Sequence, residues 1–76
     1  MTSLNLNEKI GIKIRILRIK LKFSQEKLAE LSELSKNSIG TIERGKSSPS
    51  IETLDRIARA LNIELKELVD VSKIDL

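Results

Sequence analysis

The 76-residue chain contains no cysteine and no histidine. Those two absences exclude disulfides, thiolate chemistry, zinc fingers and every histidine-dependent acid–base or triad mechanism. The lack of cysteine fits a reducing cytoplasm, which is the expected location. No apolar run approaches the ~18 residues a membrane span needs. The N-terminal MTSLNLNEK has neither a basic region followed by an apolar segment nor a small-residue cleavage site, so no signal peptide is expected. Internal repeats and low-complexity segments are missing as well. No paired carboxylates in a cleft pattern, phosphate-binding loop or nucleophile–base set can be read, so no catalytic residue, cofactor or metal ligand is assigned and no enzyme is expected.

What the chain does have is charge of uneven placement. Residues 1–23 carry six Lys/Arg against one acid, residues 24–50 four of each, and residues 51–76 four against six. A basic front half with an acidic tail suits a polyanion on one side and self-association on the other. A chain of this size makes one domain, 1–76, near the lower limit at which a single core holds without staples.

Residues 1–7 read as a short polar arm carrying two leucines: a free end, a helix lead-in or a flap over the first helix. Residues 8–23, EKIGIKIRILRIKLKF, alternate like a bulged strand, yet Ile10, Ile14, Leu17 and Leu21 also share one face of a helix. Helix is preferred, because no second strand-like run exists to satisfy a lone strand's ladder groups. Ile12, Ile16 and Ile19 then form a second stripe nearly opposite the first, covered by the chain's own ends or used by a partner. A membrane-surface role for this basic amphipathic helix is disfavoured, since both of its faces are apolar.

Ser24 caps a second helix from Gln25 to about Ser32, with Leu28 and Ala29 inward and Leu31 at the margin. After a turn at Glu33 and Leu34, Ser35 caps a third helix from Lys36 to about Arg44, and Gly45 supplies the left-handed residue after its end. The loop Lys46–Pro49 leads to a fourth helix capped by Ser50, Ile51 to Leu61, with Leu54, Ile57, Ala58 and Leu61 as its buried stripe. Asn62 breaks it, a short fifth helix covers about Glu64 to Val69, and a tail spans residues 70–76. The fold class is therefore all-α, a compact five-helix bundle organised around residues 24–45.

On a helical wheel Lys36, Asn37, Gly40, Thr41 and Arg44 share one side of the third helix, while Ile39 and Ile42 lie opposite. A helix anchored by one face, with donors and acceptors around a glycine on the other, suits the reading of base edges in a major groove. Asn37 can bond N6 and N7 of adenine, and Lys36 can donate to guanine O6 and N7. Thr41 can use its hydroxyl, or its methyl against a thymine methyl. Gly40 admits close approach of DNA or close packing against the second helix.

Gln25, Leu28, Ala29, Ser35, Ile39, Ile42, Glu43, Gly45 and Pro49 stand at the spacing of the Cro/repressor-type (XRE-like) helix-turn-helix regulators. Ile14, Arg15, Leu17 and Arg18 upstream and Leu54, Ile57, Ala58 and Leu61 downstream extend the resemblance, which runs from about Ile10 to Leu68. The resemblance implies a lambda-repressor-like five-helix bundle whose second and third helices bind double-stranded DNA. It implies that Lys36, Asn37, Thr41 and often the Gly40 position address bases. Gln25, Arg44 and Lys46 would meet backbone phosphates, grouped with the caps Ser24 and Ser35. Arg18 and Glu43 match an internal ion pair tying the first helix to the recognition helix. Two positions depart from the family: Glu33 replaces the usual turn glycine, and Lys22 stands where the first helix often ends in glycine or asparagine.

One module of this size reads too few bases for genomic specificity, so a homodimer on a palindromic operator is expected, its half-sites about one DNA turn apart. Interface candidates are Ile63, Leu65, Leu68 and Val71. Restriction–modification controllers, phage-type repressors and plasmid or mobile-element regulators all fit so short a chain. Autoregulation, with steric or contact-based control of RNA polymerase, is favoured over ligand sensing. The competing reading is an antitoxin or other protein-interaction module, motivated by the second isoleucine stripe.

Overall fold

A computed structural model describes residues 3–74; Met1, Thr2, Asp75 and Leu76 of the expected arm and tail lie outside the described residues. Five helices follow one another: α1 (Leu6–Lys20), α2 (Gln25–Ser32), α3 (Lys36–Glu43), α4 (Ile51–Ala60) and α5 (Leu65–Val69). No strand occurs among the described residues. The strand-like alternation in the first segment is overridden by the helical surroundings it packs against.

The helix starts are built from side-chain caps. Ser24, Ser35 and Ser50 each accept, through Oγ, the amide three residues on, at 2.9, 3.0 and 3.0 Å. Each bond satisfies one of the amides a helix N-terminus leaves without a partner. The start of α1 corrects the expected arm of residues 1–7. Asn5 Oδ1 accepts the Glu8 amide at 2.8 Å while Glu8 Oε1 accepts the Asn5 amide at 2.9 Å, so Leu6 and Asn7 already belong to the helix. This reciprocal pair is a capping box in an Asn-x-x-Glu frame.

The helix ends share one device. Lys22, Glu33, Gly45 and Asn62 have φ of 61°, 59°, 70° and 60°. After each of them the next amide reaches back to a carbonyl in the last turn: Phe23 to Arg18, Leu34 to Ala29, Lys46 to Thr41 and Ile63 to Ala58, at 2.9 to 3.1 Å. These are Schellman ends, which reverse the chain and satisfy otherwise unpaired carbonyls. Three of the four left-handed residues are not glycine. The departures at Lys22 and Glu33 therefore leave the turn geometry intact at some cost in backbone strain.

Packing runs α1 on α3 and α5, α2 on α3 and α4, and α4 on α5. Ile14, Leu28, Ile39, Ile57 and Leu68 are fully enclosed, with Ile10, Ala29, Ile42, Leu54, Ala58 and Leu61 completing the core. Leu21 leaves the stripe assigned to it and is 45% exposed, because α1 stops at Lys20 and the chain turns away at Lys22. Of the second stripe, Ile12 is half-buried while Ile16 and Ile19 remain 41% and 53% exposed. The tail is held at its root, where Lys13 Nζ donates to the Asp70 carbonyl at 3.1 Å. Ser72 donates its hydroxyl and amide to Asp70 Oδ1, which keeps that carboxyl below its ordinary pKa. Leu68 is 0% exposed. Its place is the chain's own core, which removes it from the interface candidates named above.

Candidate nucleic-acid interface

The mounting of α3 begins with its apolar side. Ile39 and Ile42 are buried, fixing the helix's rotation about its own axis. A second constraint comes from Gly11, where a Cβ would lie 2.5 Å from the carbonyl oxygens of both Ile42 and Glu43. The α1 backbone thus rests directly on the C-terminal carbonyls of α3, an approach only glycine permits.

The third constraint is polar. Arg18 donates from Nε and Nη2 to the two Glu43 carboxylate oxygens at 2.6 and 3.1 Å. Its Nη1 donates to the Phe23 carbonyl at 2.8 Å. The side chains are only 12% and 4% exposed, so this is a bidentate pair largely shielded from water. Gln25 Nε2 also donates to Glu43 Oε1, at 3.1 Å. One carboxylate therefore holds α1, the start of α2 and the end of α3 together. The expected Arg18–Glu43 pair is present; its third member, Gln25, is not visible in the sequence.

Lys36 and Asn37 stand exposed on the outer face of α3, and Arg44 is exposed at its C-cap. Lys36 Nζ lies 3.8 Å from Glu26 Oε1 at the start of α2. This solvent-exposed pair is weak and easily exchanged. Thr41 is half-buried and donates its hydroxyl to the Asn37 carbonyl at 2.8 Å. Gly40 is buried: a Cβ there would lie 3.1 Å from Arg44 Nη1 and 3.8 Å from Gln25 Oε1. Its lack of a side chain leaves room for those two residues. Gln25, Lys36, Asn37, Gly40 and Arg44 line one open hollow.

The residues assigned to phosphates surround this face. Ser24 and Ser35 spend an acceptor site on their caps, and Ser35 Oγ also donates to Ser38 Oγ at 2.9 Å. Lys46 is exposed just past α3, with its amide committed to the Thr41 carbonyl at 3.1 Å. Among the described residues there is no cluster of three or more metal-ligating side chains and no helix long and apolar enough to cross a membrane.

Residues 14–68 match the helix-turn-helix family HTH_3. The chain belongs to that family of transcription regulators. Among its relatives, the regulator is 37% identical to control protein C.BamHI of Bacillus amyloliquefaciens over 71 residues, which cover 92% of this chain and 88% of that one. It is likewise 37% identical over 60 residues to the immunity repressor protein of Bacillus phage phi105, covering 79% of this chain and 42% of the repressor. Among solved structures, the restriction-modification controller protein C.AhdI from Aeromonas hydrophila superposes with a TM-score of 0.80 at 40% identity, over 82% of this regulator and 94% of that chain. The all-helical fold and the regulator class expected from the sequence both hold, and the relatives are regulators rather than enzymes.

Proposed function

We propose that the regulator is a homodimer that reads a palindromic operator in double-stranded DNA with the exposed face of α3. The observation that carries this is the pairing of an exposed, polar Lys36–Asn37 edge with a helix held from behind by Gly11, Arg18 and Glu43. A rigid mount and a hydrogen-bonding outer edge are what direct readout in the major groove requires. Lys36, Asn37 and Thr41 address bases in this reading. Ser24, Gln25, Ser35, Arg44 and Lys46 set the register against phosphates, supplying the salt-dependent part of the affinity.

Dimerisation doubles the number of bases read and so gives a useful specificity ratio. Ile63, Leu65 and Val71 are half-buried, which leaves each of them apolar surface to contribute. The likeness to controller proteins over nearly their whole length supports control of a restriction–modification locus, including the regulator's own gene, in the cytoplasm. RNA polymerase is then excluded or recruited by the bound dimer.

Selection from a random duplex pool tests the reading. The expected product is an inverted repeat with half-sites about one DNA turn apart. A pool that shows no enriched sequence would overturn it.

A further inference from the structure

A second hollow lies on the other side of Asn37, between α3 and the loop that leads to α4. Leu34, Ile42 and Pro49 line it together with Asn37 and the hydroxyl residues Ser38, Thr41, Ser47 and Thr53. Among the described residues, no charged side chain contributes to it. The first hollow carries the cations of Lys36 and Arg44. A phosphate suits the first and is poorly served by the second.

The apolar walls of the second hollow are fixed. Ile42 is core, Pro49 has a locked φ, and Leu34 packs half-buried against the core, its backbone held by the amide's bond to the Ala29 carbonyl at 2.9 Å. Thr41 has spent its single hydroxyl proton on the Asn37 carbonyl. While that bond holds, the hydroxyl offers a base only its acceptor lone pairs, and what Thr41 adds to an apolar wall is its methyl group. The major-groove edges of DNA carry one apolar substituent, the C5-methyl of thymine.

We propose that the hollow bounded by Leu34, Thr41 and Pro49 receives the C5-methyl group of a thymine, and that Thr41 is a specificity-determining residue acting through its own methyl. The inference rests on α3 occupying the major groove as proposed above. Asn37 borders both hollows. The thymine is therefore read beside the base that Asn37 contacts, within the same half-site.

The experiment starts from the selected duplex and replaces its thymines one at a time by deoxyuridine, which removes only the methyl. Binding by the wild-type regulator is expected to weaken about fourfold per half-site at one thymine position, the size of one lost buried methyl. Thr41→Ser, which keeps the hydroxyl, should bind thymine and deoxyuridine duplexes equally. Thr41→Val, which keeps the methyl bulk and loses the hydroxyl, should retain the discrimination. Because the deoxyuridine exchange leaves the protein untouched, the first measurement stands even if a variant folds poorly. The inference is overturned if no deoxyuridine changes the affinity while Asn37→Ala still alters the selected sequence; α3 would then read bases without this hollow. If selection yields no sequence preference at all, the groove placement of α3 fails and the inference goes with it.

Discussion

Glu43 accepts Arg18 at 2.6 Å and Gln25 at 3.1 Å on different oxygens of one carboxylate that is almost fully enclosed. Removing either charged partner strands the other in a poorly solvated site. Arg18→Ala or Glu43→Ala should each lower stability by about 3 kcal/mol in urea denaturation. The double change Arg18→Met with Glu43→Leu should cost clearly less than the two single changes together, since it leaves no orphaned charge.

The left-handed turn between α2 and α3 is a place where stability can be gained. Glu33 has φ 59° and ψ 38°, a conformation that strains any residue with a Cβ. Glu33→Gly relieves that strain, partly offset by the greater freedom of glycine in the unfolded chain. A net gain of about 1 kcal/mol is expected, seen as a rise in melting temperature of about 5 °C.

Two glycines should respond in opposite ways to alanine. At Gly11 the new Cβ would meet backbone carbonyls of α3 at 2.5 Å, which cannot move alone. Gly11→Ala should destabilise by about 2 kcal/mol or more through overpacking, and DNA affinity should fall as α3 shifts. At Gly40 the nearest atom is the end of a long arginine at 3.1 Å. Gly40→Ala should fold at least as stably, gaining up to about 1 kcal/mol from helix propensity. Thermal melts of the two variants check both.

Base and phosphate contacts separate by their signature in DNA titrations. Asn37→Ala should cost about 1–3 kcal/mol on the selected operator and relax preference at one position of each half-site. Lys46→Ala should weaken all sequences alike and reduce the salt slope by about one. Unchanged base preference in Asn37→Ala would misplace the reading face.

Burial also separates the interface residues of the proposed dimer from the fully enclosed core. Ile63→Lys, at a half-buried site on the α4–α5 turn, should shift sedimentation toward monomer and, because Ile63 also packs on the core, lower stability by less than a full core truncation. Leu68→Ala opens a cavity in the core and should cost about 2–5 kcal/mol in stability.

Much of this architecture is legible in the sequence because it is local. Ser24, Ser35 and Ser50 each precede an apolar stripe of helical period, and Gly45 and Asn62 mark ends, so α2, α3 and α4 are found within a residue. The opening of α1 is equally local, since Asn5 and Glu8 stand at capping-box spacing, but the polar residues around two leucines look like an arm. Leu21 falls on the apolar stripe by spacing but lies past the end of α1, because Lys22 takes the left-handed conformation that lysine seldom adopts. The Gln25–Glu43 bond and the seat of Gly11 on α3 join residues far apart in the chain. They depend on how helices cross, and no spacing rule within one helix announces them.

The residues that seat α3 and the residues on its outer edge are almost disjoint sets. Gly11, Arg18, Ile39, Ile42 and Glu43 face inward or backward, whereas Lys36 and Asn37 make no bond with those five. Such a division lets the exposed edge of α3 vary at little cost to the fold. On the reading proposed above, a lineage of such regulators moves to a new operator by exchanging side chains on that edge, while the frame that carries them stays as it was.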